Sequence, residues 1–143
     1  QLNTKYLERA AAAARQAGLT GIEAREFSES HNRQVLERVS EEAKSLMTLV
    51  PPAGFLVLLD ERGKSLSSQK FADDVALARD NGTQSYVLAL GGPDGHGEDI
   101  QKRADLVISF GAMTWPHQLA RIMASEQIYR AVTILNGHPY HRE

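Results

Sequence analysis

The feature that most constrains this chain is Phe55-Leu56-Val57-Leu58-Leu59, a stretch that is apolar at every position. Successive side chains of a strand point to opposite faces, so a strand with one face in water alternates apolar and polar residues. A run without alternation is buried on both faces, as in a parallel sheet covered by helices. Tyr86 to Leu90 reads as a second such strand and Leu106 to Phe110 as a third.

The segments around these runs carry helical patterns. Leu2 to Gln16 is rich in Ala, with Arg and Glu among its other good helix formers, and Gly18 is placed to stop it. Val35, Val39, Ala43, Leu46 and Val50 recur at helical spacing, behind Ser30 or Asn32 as a cap and ahead of Pro51-Pro52. Ser67 or Ser68 opens a helix that runs to about Arg79 and closes at Asn81-Gly82. A short helix is expected around Asp99 to Arg103, and a long one from His117 to about Leu135, ended by Gly137. Its apolar residues Ile122, Met123, Ile128, Val132 and Leu135 read as packing residues. Ile22 to Phe27 reads as a further short strand, and Asp60-Glu61-Arg62-Gly63-Lys64 as the break that ends the first buried one.

Strands alternating with helices over short connections predict an α/β fold, a mainly parallel sheet flanked by helices. The length of 143 residues and the absence of any linker or repeat predict a single domain over residues 1–143. No apolar run approaches the ~18 residues of a membrane span, and no signal peptide is visible, so a membrane is not an expected partner. With no cysteine, disulfides, thiolate nucleophiles and Cys-ligated metals are excluded. The lack of cysteine fits a reducing, cytoplasmic setting. A formal charge of −2 argues against avid binding to naked nucleic acid, and DNA is not an expected partner.

In parallel sheets, ligands bind beyond the carboxyl ends of the strands. Here these are the turn after Leu59, the loop Gly91–Gly97 and the loop Gly111–Pro116. Glycines at a strand end permit close backbone approach and positive φ, which suits a nucleotide-like ligand. The spacing in Gly91–Gly97 is not that of a dinucleotide fingerprint. Gly63-Lys64-Ser65 resembles the end of a phosphate loop, but the glycine required five positions earlier is Leu58, inside a strand. His117, His138 and His141 are candidate ligands, and His138-x-x-His141 has a tolerable spacing, but it lies in a Pro-containing tail and not on a helix face, with no adjacent carboxylate except Glu143, so no metal is expected. The tail His138-Pro139-Tyr140-His141-Arg142-Glu143 is unusual. Arg suits phosphate, Tyr and His stack on bases, and His moves protons near neutral pH, a combination that fits RNA contact.

Four segments carry a resemblance over the whole chain: Leu58 to Lys64, Leu90 to Gly95, Ser109 to His117, and the terminal His138 to Glu143. Together they resemble the RlmH family, bacterial large-subunit ribosomal RNA pseudouridine N3-methyltransferases of the SPOUT class. The resemblance implies a fold with a C-terminal trefoil knot, a homodimer, and S-adenosyl-L-methionine as cofactor. It implies a cofactor pocket at Leu59, at Gly91 and Gly92, and at Gly111, Ala112, Met113, Thr114, Trp115 and Pro116. These are the three segments that strand topology selects on its own. Members of the family open with a strand and loop, about 15–20 residues, ahead of the first helix; that strand is expected to be absent here.

Methyl transfer depends mainly on aligning the acceptor nitrogen with the methyl group. From the chemistry of the tail, Arg142 is expected to contact a phosphate or carbonyl, Tyr140 to position the base, and His138 or His141 to have a proton role. A carboxylate or water stays open as the proton acceptor. The expected substrate is large-subunit ribosomal RNA within the assembled ribosome, because a near-neutral protein gains little from counterion release on free RNA. Two other readings keep the same scaffold: a noncatalytic module that binds S-adenosyl-L-methionine, and a dimeric interaction protein.

Overall fold

The computed structural model describes residues 2–25, 30–91 and 95–142, the last two by their backbone alone. The chain forms two compact units. The first comprises residues Gln1–Ala24, Leu66–Gly82 and Trp115–Glu143; the second comprises Arg25–Ser65 and Thr83–Thr114.

The second unit holds the sheet. Strand β1 (Phe55–Ser65) lies between β2 (Tyr86–Leu90) and β3 (Leu106–Ser109), and both pairings are parallel. Leu56, Val57 and Leu58 are wholly buried, as a run without alternation requires. Helix α2 (Val35–Leu49) supplies Ala43 and Leu46 to this core, joined by Val50 just beyond it and by Ile100 from α4 (Glu98–Arg103). Asp105 ties the loop ahead of β3 to β1. Its carboxylate accepts the Leu56 N–H at 2.8 Å, and its own N–H donates to the Leu56 carbonyl at 2.8 Å. Arg103 donates to the carbonyl of Gly54 at 2.8 Å and fastens the start of the same strand.

The first unit is helical: α1 (Leu2–Ala14), which tightens into a 3-10 turn over Arg15–Ala17, α3 (Ser68–Asp80), α5 (His117–Leu135) and a 3-10 turn over Pro139–Arg142. Both α1 and α3 pack on α5. Small residues allow the close approach: Ala10 and Ala14 are fully buried, and Ala10 and Ala17 meet Val132 of α5. Ile128 and Leu135 pack against the same cluster, in line with their reading as packing residues. Gly18 ends the first helical segment at φ 81°. Ser67 caps α3, its hydroxyl accepting the Lys70 N–H at 3.1 Å.

Three expectations need correction. Residues 22–25 form no strand; Ile22 is spent on the Ala10–Ala17–Val132 cluster instead. Phe27, the end of that expected strand, lies outside the described residues. The polar segment Asp60–Lys64 does not end β1, which continues to Ser65 across an irregularity in its pairing with β3. Ile108 faces Leu59 before the irregularity and Lys64 after it. Neither Ser30 nor Asn32 caps α2, whose N-cap is Gln34 with no side-chain bond. Asn32 instead accepts the Gln34 N–H at 3.1 Å in the turn that leads into the helix.

Candidate functional site

The strand register brings the expected cofactor segments to one end of the sheet. Leu59 is paired with Leu90 on one side and with Ile108 on the other. Gly91 follows Leu90 directly, and Gly111 stands three residues after Ile108, so these loops leave the carboxyl end together. Gly92 lies outside the described residues. Gly111 adopts φ 115°, a region that side chains avoid. The Ser109 hydroxyl holds it on both sides, accepting the Gly111 N–H at 3.0 Å and donating to its carbonyl at 2.8 Å. Ala112, Met113 and Thr114 are exposed, Met113 by 73%. Trp115 and Pro116 are also exposed and belong to the helical unit, where they lead straight into α5.

The same end of the sheet holds a polar cluster beyond those expected residues. His96 is buried against Gly91. A Cβ placed on that glycine would sit 3.1 Å from the imidazole Cε1. The ring's Nε2 has no hydrogen-bond partner among the described residues. Burial pushes the His96 pKa down, against the pull of Asp60 and of the Ala89 and Leu59 carbonyls. The Asp60 carboxylate is almost fully buried and accepts three times from Arg62, at 2.9 Å from the backbone N–H, 3.0 Å from Nε and 3.0 Å from Nη2. These bonds hold its pKa below the usual carboxylate value. Arg62 also reaches the His96 carbonyl at 3.3 Å, which Gln101 contacts at 3.0 Å. The carbonyl of the loop is thus clamped from two elements.

In the helical unit, the tail is docked rather than frayed. The His138 N–H donates to the Thr133 carbonyl at 2.8 Å, and the Tyr140 N–H donates to His138 Nδ1 at 3.1 Å. The Tyr140 hydroxyl donates to Glu126 Oε2 at 2.8 Å. Burial and this bond to a carboxylate raise the Tyr140 pKa and keep the phenol protonated. The side chains of His141 and Arg142 lie outside the described part of the chain. No group of three or more His, Asp or Glu is placed to hold a metal ion, and no helix is long and apolar enough to cross a membrane, among the described residues.

Comparison with known proteins gives this geometry its setting. Residues 1–141 match the profile of the family described as predicted SPOUT methyltransferase. The chain belongs to the SPOUT methyltransferase family. Its α/β architecture with a parallel sheet is consistent with the SPOUT fold. It is 49% identical over 142 residues to a protein of Bartonella bacilliformis named Ribosomal RNA large subunit methyltransferase H, covering 99% of this chain and 89% of that protein. Proteins of the same name are 50% identical in a Chelativorans species (143 residues; 100% of this chain, 82% of that protein) and 48% identical in Mesorhizobium japonicum (142 residues; 99% and 89%).

Some of the site was missed by sequence reasoning. His96, Asp60 and Arg62 sit within recognised segments, but only the fold shows that they interlock. Glu126 and Arg130 lie four residues apart on a helix, a spacing that signals an ion pair. Their link to Tyr140 depends on how the chain returns after Gly137.

Proposed function

We propose that this chain is a single methyltransferase domain, a knotted SPOUT enzyme. It uses S-adenosyl-L-methionine to methylate N3 of a pseudouridine in large-subunit ribosomal RNA. It acts as a homodimer on assembled ribosomes in the cytoplasm. The observation that carries this reading is the likeness over essentially the whole chain to relatives named Ribosomal RNA large subunit methyltransferase H.

The residues present fit the cofactor. Gly91 and Gly111 leave backbone open where side chains would intrude or strain, and Met113 offers exposed apolar surface beside them in sequence. Leu59, Gly91, Gly92 and Gly111–Pro116 would hold the group, largely through backbone contacts. When bound, S-adenosyl-L-methionine supplies an electrophilic methyl group on a sulfonium. The acceptor nitrogen must lose its proton, and the tail residue His138 or His141 takes it. Arg142 holds a phosphate or carbonyl of the RNA, and Tyr140 positions the base by fixing the tail that presents these groups.

The test is transfer of labelled methyl to large subunits and whole ribosomes from a methylation-deficient strain, with the nucleoside product identified by mass spectrometry. Formation of 3-methylpseudouridine is expected. Cofactor binding without transfer would leave only a binding module.

A further inference from the structure

We infer that Glu126 and Arg130 of α5 are positioning residues for the carboxyl-terminal tail and act through Tyr140; this rests on the proposed role of the tail in methyl transfer. Arg130 grips both carboxylate oxygens of Glu126, one turn away on the same helix, at 3.1 Å from Nε and 2.6 Å from Nη2. Glu126 Oε2 takes the Tyr140 hydroxyl as a further donor, at 2.8 Å. The Arg130 guanidinium carbon lies 5.1 Å from the centre of the Tyr140 ring. Tyr129 meets that ring edge-on at 4.7 Å between centroids, and Tyr6 of α1 continues the row at 6.2 Å from Tyr129.

Tyr140 is therefore fixed at its hydroxyl, over its face and along its edge. Glu126 and Arg130 are both largely shielded from water. Their charge-assisted bonds are stronger and more directional than those of an exposed pair. Arg130 has two tasks in this arrangement. It neutralises the carboxylate that receives the phenol, and it lies over the ring that carries the phenol.

The consequence concerns the residues on either side of Tyr140. His138 is bound to the Tyr140 amide, and His141 and Arg142 follow within the same 3-10 turn. A phenol held at three points sets the place from which these neighbours project. The hydroxyl is occupied by Glu126, so Tyr140 serves the tail as its tether and does not itself present an oxygen to the base.

Full-length Tyr140→Phe keeps the ring and removes only the hydroxyl. Three readouts are compared with the unsubstituted protein: labelled methyl transfer to ribosomes from a methylation-deficient strain, S-adenosyl-L-methionine binding by calorimetry, and amide exchange over residues 138–142. A small displacement of a reacting group can cost up to about a hundredfold in rate, so kcat should fall about tenfold or more. KM for the cofactor and its calorimetric affinity should hold, and tail exchange should quicken. Glu126→Gln weakens the same contact from the other side. It should act in the same direction, and the double variant should be no slower than the slower single one. An unchanged kcat in Tyr140→Phe overturns the inference, as does a cofactor affinity that falls in step with kcat. If the unsubstituted protein transfers no methyl group, the functional reading fails and the positioning role falls with it. Tail exchange separately reports the tether: unchanged exchange in Tyr140→Phe overturns that part too.

Discussion

Gly63 lies directly on the backbone of Ile108. A Cβ at residue 63 would come within 2.6 Å of the Ile108 carbonyl carbon and 2.7 Å of its nitrogen, closer than non-bonded contacts of a Cβ essentially ever come. This contact explains how β1 continues past the pairing irregularity: the strand closes onto β3 again only because one residue has no side chain. Gly63→Ala must push β3 away, and overpacking of this kind costs about 1–3 kcal/mol. Urea unfolding should show a midpoint lowered to match. A midpoint equal to that of the unsubstituted protein would mean that the two backbones are not in contact.

The same segment shows where sequence reading stops. Phe55–Leu59 announces itself because every side chain is apolar, and the structure buries its middle residues completely. Asp60–Ser65 carries the polar residues of a turn, and only backbone pairing with β3 makes it strand. Ile22 reads as a strand residue from local pattern, yet its apolar side chain packs in the cluster of the first helical segment and the distant α5. The loops proposed to hold the cofactor are legible because glycines stand at the ends of buried strands. The burial of His96 is not, since an imidazole between glycines reads equally well as exposed. The tail stood out by composition, while its docking on Glu126 depends on a contact fourteen residues back along the chain.

His96 should make stability depend on pH. Its pKa lies below the ordinary 6.5 because burial penalises the charged ring, and Asp60 and Arg62 are the charged groups beside it. The unfolded chain therefore binds the proton more readily than the folded one. Above about pH 6.5 this costs nothing, and as pH falls through the lowered folded value stability is lost. Asp60 acts in the same direction in a separate, more acidic range, below its ordinary 3.8. His96→Leu should flatten the first decline and leave the second in place. Urea midpoints from pH 2 to 8 provide the measurement; an unaltered slope just below pH 6.5 in His96→Leu would contradict the assignment.

Helix α3 owes its start to a single side chain. The Ser67 hydroxyl accepts the Lys70 N–H at 3.1 Å, satisfying one of the donors that a helix leaves open at its first turn. Ser67→Ala should cost about 1 kcal/mol. Gln34 offers a matched control, because it occupies the N-cap of α2 without any side-chain bond. Gln34→Ala should stay within about 0.5 kcal/mol of the unsubstituted protein. Thermal melts of the two variants should differ in this order, and equal shifts would remove the cap from the account of α3.

Gly91 and Gly111 should both weaken cofactor binding when replaced by alanine, for different reasons. At Gly91 the obstacle is the His96 ring, 3.1 Å from the new methyl group, so the imidazole must give way. At Gly111 nothing lies within 4 Å of the new Cβ, and the obstacle is φ 115° itself. A side chain in so sparsely populated a region costs about 1–3 kcal/mol. The loop can escape that cost by turning its backbone, because its other residues are exposed. Doing so breaks the two bonds from Ser109 and moves the peptide groups that would face the ligand. Gly111→Ala should therefore lower affinity for S-adenosyl-L-methionine about tenfold, equivalent to about 1.4 kcal/mol, with little change in the urea midpoint. Gly91→Ala should lower both, because its contact lies in the buried part of the sheet unit. Calorimetry and urea unfolding on the two variants separate these cases. Full cofactor affinity in Gly111→Ala would place the ligand away from this loop.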